Sequence, residues 1–317
     1  MDIELRPLTL GELMDRTFQL YRARFLLFFG IAAVASAVEM IWSLARVLEA
    51  NALTSRHLPA LTIQSITSLT GTVSWAVTFG IAGIAMAATN RAVTRIHEDQ
   101  PTGVAASYGE VRSHWLRYMW LNVVTFLLAW GLVVLIVAVT VVVVMVATRT
   151  TTLPQANVVG FLYGGMGLLI LLALPLCIWL TLRYALANAA CASEEIGVRK
   201  ALKRSVLLSK GMRGKIFVLL LVIFIAQMVL VSALTAPVFV SLVRHPEHVP
   251  IGVTAYLLVV GFFSSSLIKP IYSIGLTLFY FDARIRKEGF DVEWMLEHAP
   301  AAASPDLNSS LPGLIPG

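Results

Sequence analysis

Charge is scarce in this chain, and cysteine scarcer still. Only 13% of residues are Asp, Glu, Lys or Arg, against 58% hydrophobic, and mean hydropathy reaches +0.80. A soluble domain cannot keep so much apolar surface from water, so the composition excludes one and requires an integral membrane protein. The two cysteines, Cys177 and Cys191, fall within or just beyond an apolar run, which excludes a disulfide or cysteine–metal framework. The histidines are scattered except for His245 and His248, which lack a third distant ligand, so no metal site and no cofactor are expected. There is no Gly-rich phosphate loop, zinc-finger spacing or G-x-S-x-G elbow, and a catalytic site is not expected either.

Long apolar runs are what the chain has in place of these. Six could cross about 30 Å of hydrocarbon: Phe25–Leu44, Ile66–Ala88, Met119–Val146, Val158–Leu182, Ile216–Val243 and Val253–Phe281. The third ends in Thr140-Val-Val-Val-Val-Met-Val, a strand-like composition in water. In lipid every backbone group must be satisfied within the segment, so this run too is expected to be helical. The expected fold is all-α, with six transmembrane helices in a single polytopic domain over residues 1–298 and a disordered Pro/Ala/Ser-rich tail at 299–317. That leaves no room for a separate soluble catalytic domain.

Of the 24 Lys and Arg, 19 lie in the first 24 residues, in 90–117, in 183–215 and after the last run; Arg46, Arg56, Arg149 and Arg244 alone occupy the alternate loops. This asymmetry places both termini on the cytoplasmic side of a cell membrane. The net charge of +6 is then a topology signal first, with attraction to anionic lipid second, and implies no nucleic-acid partner. The polar first 24 residues, with Asp2, Glu4, Glu12 and Asp15, do not read as a cleavable signal peptide.

Three amphipathic segments alternate with the runs. Thr9-Leu-Gly-Glu12 has capping-box spacing and predicts a helix from Thr9 that presents Leu10, Leu13, Met14, Phe18 and Tyr21 either to the inner membrane surface or to the ends of the spans it packs under. Val104–Tyr118 predicts a second, with Tyr108, Val111, Trp115 and Tyr118 on its apolar side. Residues 194–211 predict a third, with Val198, Ala201, Leu202, Ser205 and Leu208 on one face and its cations at the lipid headgroups. An internal repeat connects these segments. Leu180-Thr-Leu-Arg-Tyr184 recurs 96 residues later within Gly275-Leu-Thr-Leu-Phe-Tyr280, each copy after a proline (Pro175, Pro270) and before a Glu-containing turn that ends in glycine. Arg16-Thr17, Arg112-Ser113 and Arg204-Ser205 recur at offsets of 96 and 92. A surface helix followed by two spans, occurring three times, accounts for both. Small residues predict close helix contacts at Gly71, Gly80 and Gly83, and at the Gly160-x-x-x-Gly164 pair.

Lys269 is the sharpest candidate residue. It lies about 16 Å of helix above Tyr280, too deep for its stem to reach the interface. An intramembrane charge costs at least about 2.5 kcal/mol, so Lys269 should face protein or a water-filled cavity. Ser264, Ser265 and Ser266 precede it, and Pro270 frees a backbone carbonyl at the same depth. Glu39, about 21 Å of helix above Phe25, is within reach as its partner. The alternatives are a solute or proton site, a structural ion pair, and a neutral lysine hydrogen-bonded to Ser264–Ser266. A second cluster is expected on the cytoplasmic side, where Asp282, Arg284, Arg286 and Glu288 meet Arg183, Glu195 or Arg204 of the neighbouring repeat. Its role is either a clasp between surface helices and span ends or a site for an anionic headgroup.

Three stretches form a recognisable set: Arg6-Pro-Leu-Thr-Leu-Gly-Glu-Leu-Met-Asp-Arg-Thr-Phe-Gln-Leu-Tyr21, then 195–211, then Phe279-Tyr-Phe-Asp-Ala-Arg-Ile-Arg-Lys-Glu-Gly-Phe-Asp291. Together they resemble the six-span membrane domain named after glycerophosphoryl diester phosphodiesterases, a largely uncharacterised bacterial family. In some relatives such a domain precedes a phosphodiesterase barrel, whose His-Arg-Gly and Glu-x-Asn signatures are absent from this chain. The resemblance therefore implies a fold and no activity. The expectation is a non-enzymatic multi-pass protein that binds or passes lipids or small solutes. The alternative is a scaffold or accessory subunit for membrane partners, and a membrane-embedded phosphodiester hydrolase is the weakest reading.

Overall fold

The computed structural model describes residues 8–55, 60–150, 155–244 and 251–289, and every regular element among them is an α-helix. In order these are α1 (Leu10–Ala23), α2 (Phe25–Ser55), α3 (Ala60–His97), α4 (Val104–Arg112), α5 (Trp115–Thr150), α6 (Gln155–Tyr184), α7 (Ala187–Ser193), α8 (Val198–Ser209), α9 (Arg213–Arg244) and α10 (Ile251–Glu288). Five of them, α2, α5, α6, α9 and α10, contain stretches long and apolar enough to cross a membrane. The chain is thus a multi-pass membrane protein. The sixth expected run, 66–88, lies inside the 38-residue α3, and part of it falls outside the described side chains.

The long helices pack in the order α9, α10, α2, α3, α5, α6, and α6 meets α9 only sparsely, leaving the thinnest seam of the ring there. Exposed leucine, valine and phenylalanine cover the outer faces of α2, α5, α6 and α9, as a lipid-facing belt requires. The buried core instead gathers at one end. There the short helices α1, α4, α7 and α8 pack around the ends of α3, α6 and α10, burying Leu13, Val111, Tyr118, Leu186, Leu208 and Phe279.

The capping box forms as expected: Thr9 caps α1 by accepting from the Glu12 amide, and the Glu12 carboxylate accepts from the Thr9 amide at 2.7 Å. The buried face of α1 is rotated from the expected one, with Leu13, Thr17, Leu20 and Tyr21 inside and Phe18 40% exposed. The reason is its neighbour. The Leu8 amide donates to Asp282 Oδ1 at 2.8 Å, and the Tyr21 hydroxyl donates to the Leu267 carbonyl at 3.0 Å. With both ends tied to α10, α1 runs lengthwise along that helix, and the partner rather than a flat surface selects its buried face.

The second amphipathic segment is shorter than expected. It ends at Arg112, and Trp115 and Tyr118 belong to α5. Ser113 interrupts the helix by donating to the Glu110 carbonyl at 3.1 Å, a local hydrogen bond that competes with the helical ladder. Tyr108 fastens α4 by donating to the Ile31 carbonyl of α2 at 2.7 Å, and burial pushes its phenol up to about 12. Because the neutral phenol is the bound form, its contribution is complete below the ordinary tyrosine value near 10 and disappears as pH rises from there towards 12. Tyr108→Phe is expected to cost about 1 kcal/mol and to remove that alkaline step, as chemical unfolding followed across pH 9 to 12 would report.

The glycines divide sharply. A Cβ on Gly83 would lie 2.7 Å from Asn122 Cβ and 3.0 Å from the Tyr118 carbonyl, and one on Gly80 would lie 2.9 Å from Met119. These two positions let α3 and α5 approach closely. The Gly160 and Gly164 pair is not packed, since neither position has any atom within 4 Å of an added Cβ. That motif lies on the outer face of α6 and contributes nothing to internal packing.

Helices α3 and α7 are each followed by a glutamate and then a left-handed residue, Glu98-Asp99 (φ 52°) and Glu194-Glu195 (φ 53°), in the connection to a short helix. Helix α10 ends in Glu288 and is followed by Gly289 at φ 65°.

Candidate functional site

Lys269 and Glu39 meet as their spacing suggests. The ammonium donates to both carboxylate oxygens, at 2.7 and 2.9 Å. Glu39 is 17% exposed and Lys269 is 42% exposed. Lysine is the more open partner and lines a half-open chamber of about 300 Å³ among α2, α3, α5, α6, α7 and α10. Lys269, Pro270 and Ser273 form part of the chamber wall, whereas Glu39 stands behind the ammonium, outside that wall. Of the three serines, Ser264 and Ser266 are buried, with hydroxyls that have no hydrogen-bond partner among the described residues, and Ser265 is half-buried. None of the three lines the chamber.

The rest of the chamber combines small, aromatic and polar side chains. Ala32, Ala35, Ala82 and Ala129 make the space, since larger residues at these positions would fill it. Phe79 and Phe126 lie against each other with centroids 4.2 Å apart, and Trp130 and Tyr272 add further ring surface. Beside Tyr184, Tyr272 and Ser273, five further polar residues line it: Thr89, Asn122, Thr125, Thr181 and Asn188. Sequence reasoning missed all five. Each is a single polar residue in an apolar helix, and their common face is set by how four helices pack, which no single-helix periodicity reports. Asn122 was within reach of the sequence, because it sits opposite Gly83 and its amide donates to the Phe79 carbonyl at 2.7 Å.

The charged cluster is two clusters and a separate tie. Arg204 of α8 pairs with Glu194 at 2.8 Å and with Glu288, whose second oxygen is 2.7 Å from Nη2. Arg284 also reaches Glu288, at 3.2 Å, and the buried Tyr280 donates its hydroxyl to Glu194. Glu195 belongs elsewhere: its carboxylate pairs with Arg91 of α3, and its carbonyl accepts from Arg117 of α5 at 2.9 Å. The Arg91 hydrogen bond holds the Glu195 carboxyl below the ordinary carboxylate range. The left-handed backbone at Glu195 turns these neighbouring glutamates in different directions, which explains why Glu194 holds the place expected of Glu195. Asp282 likewise does not meet Arg204. It pairs with Arg286 at 2.8 Å and receives the Leu8 amide, joining the N-terminal segment to α10. Arg183 contributes through its backbone, with its carbonyl accepting from Ser205 at 3.0 Å.

On α2 a further polar series, Ser36, Glu39, Trp42 and Arg46, recurs at helical spacing. Trp42 donates to Ser74 of α3 at 2.7 Å, and the Arg46 guanidinium packs over Gly71. His245 and His248, and the 299–317 tail, lie outside the described residues. No protein-family model, curated protein or solved structure matches the chain.

Proposed function

We propose that this chain is a six-span, non-enzymatic membrane protein whose chamber binds or passes a lipid or small solute. The observation that carries the proposal is the 300 Å³ chamber itself, with an ion-paired lysine in its wall and the orphaned buried oxygen of Asn188 at its lining. Pockets that hold small molecules start at about this size, and buried polar atoms without partners are costly unless something satisfies them. The volume corresponds to about ten waters or one small molecule.

The architecture in this proposal is three units of one short and two long helices, with α3 as the sixth span and α7 as an additional short helix in the connection before α8. The helix order supports it, as do the repeated glutamate and left-handed caps at 98–99, 194–195 and 288–289, spaced 96 and 94 residues apart. The arginine and lysine distribution supports cytoplasmic termini, and the three motif stretches support membership of the bacterial membrane-domain family they resemble, and with it a bacterial inner membrane. The second reading, a scaffold for membrane partners, draws on the exposed cations Arg199, Lys200 and Lys203 of α8. A stable partner recovered in mild detergent, and released by charge reversal at these three residues, would favour it.

The main reading is tested by native mass spectrometry of the protein released from mild detergent. Wild-type protein should carry a bound small molecule or lipid. Ala129→Trp, which fills the chamber, and Lys269→Met, which removes its ammonium, should each lose it. Identical spectra from all three, or no bound mass on wild type, would sink the proposal.

A further inference from the structure

The hydrogen-bonding polarity of the chamber restricts what can occupy it; this step rests on the binding reading above. A threonine hydroxyl beside a carbonyl must donate to it, since a carbonyl can only accept. Thr89 donates to the Ala85 carbonyl at 2.9 Å, Thr181 to Cys177 at 2.8 Å, and Thr125 to Leu121 at 2.9 Å. Each hydroxyl thus spends its only proton on its own helix and offers the chamber lone pairs alone. Asn122 spends an amide proton on Phe79, which leaves its side-chain oxygen as an acceptor. The side-chain oxygen of Asn188 is buried with no partner among the described residues, and the residue itself is 6% exposed. Helices α3, α5, α6 and α7 therefore converge on one chamber with five acceptor-bearing side chains.

Opposite in character is Lys269. Two of its three N–H groups are taken by Glu39, which leaves one donor and cancels the local charge. A charged occupant would lose its hydration in a wall with no net charge to offset that loss. A cation would match the acceptors but lie beside an ammonium. An anion would meet the same lone pairs, with only uncharged amide and hydroxyl donors (Asn122, Asn188, Tyr184, Tyr272) and the remaining Lys269 N–H to offset them. A neutral compound with several hydroxyls meets both demands, donating to the threonine and asparagine oxygens and accepting from Lys269. Its C–H faces can rest on Phe79, Phe126 and Trp130.

We infer that the chamber is a binding site for a neutral, polyhydroxylated compound. The test is equilibrium dialysis of the full-length protein in lipid nanodiscs against labelled sorbitol, choline and succinate, as neutral, cationic and anionic probes. Sorbitol should bind saturably at one site per chain, with choline and succinate each at least tenfold weaker. Asn188→Leu and Thr125→Val, each removing one acceptor at nearly constant volume, should each weaken sorbitol about fivefold, the effect of one hydrogen bond of about 1 kcal/mol. Elution at the wild-type volume confirms that either variant is folded. Choline or succinate binding as tightly as sorbitol overturns the inference. So does unchanged sorbitol affinity in both variants. If none of the three probes binds while native mass spectrometry still finds a chamber-dependent mass, this inference falls and the binding reading survives. If that mass is absent too, both fall.

Discussion

Glu39→Ala is expected to destabilise the folded protein by about 2–4 kcal/mol. Removing one member of a buried ion pair typically costs about 3–5 kcal/mol, because the remaining charge has lost its counter-ion but not its burial. Lys269 is 42% exposed, so solvent screening reduces that penalty to about 2–4 kcal/mol. What remains is a bare ammonium, with buried, unpartnered Ser264 and Ser266 on the same helix and no second carboxylate paired to it among the described residues. The double change Glu39→Ala with Lys269→Met should recover most of the loss, since it removes the charge as well as its partner. Reversible unfolding of all four proteins, in one detergent and at one pH, gives the cycle. A single variant as stable as wild type would remove the pair from any structural role. A double variant that loses the simple sum would show that the two residues act separately.

Gly83→Val is expected to cost about 1–3 kcal/mol and to reshape the chamber as well. The first added carbon would sit 2.7 Å from Asn122 Cβ and 3.0 Å from a backbone carbonyl, so a rotamer change alone cannot relieve it. Helices α3 and α5 must part, and the Asn122–Phe79 hydrogen bond stretches with them. Both residues line the chamber, so its bound mass should be lost along with stability. Gly164→Val is the control. With no atom within 4 Å of an added Cβ, it should unfold as wild type does and keep its bound mass. Equal losses from the two substitutions would mean that the glycines act through backbone flexibility and not through contact.

Some of this structure is legible in the sequence, for definite reasons. A charge within an apolar run costs enough to demand a partner, and helix rise alone brings Glu39 to Lys269. The capping box at Thr9 is local chemistry, complete within four residues. Legibility failed where the answer lay between helices. Gly160-x-x-x-Gly164 looks like a packing motif, but no neighbour comes to it, whereas Gly80 and Gly83 make the close contacts expected of them and only their partners on α5 were hidden. The threonines of the chamber resemble ordinary tolerated polar residues until several helices bring them together. Glu194 and Glu195 differ by one position, and only the left-handed turn at Glu195 decides which glutamate meets Arg204.

The tie between Leu8 and Asp282 has a consequence in time. Helix α1 is the first of the described elements to be made, yet the helix it lies along is the last of them. Helices α4 and α8 can dock on α3 and α6 as soon as they are made, because those partners precede them. Helix α1 cannot, and closing a contact across nearly the whole chain is slow. Its buried face must wait, held at the lipid surface or by a chaperone, until α10 is inserted. Assembly should therefore end with α1, and a chain stopped short of α10 should have inserted helices and a protease-accessible N-terminal helix.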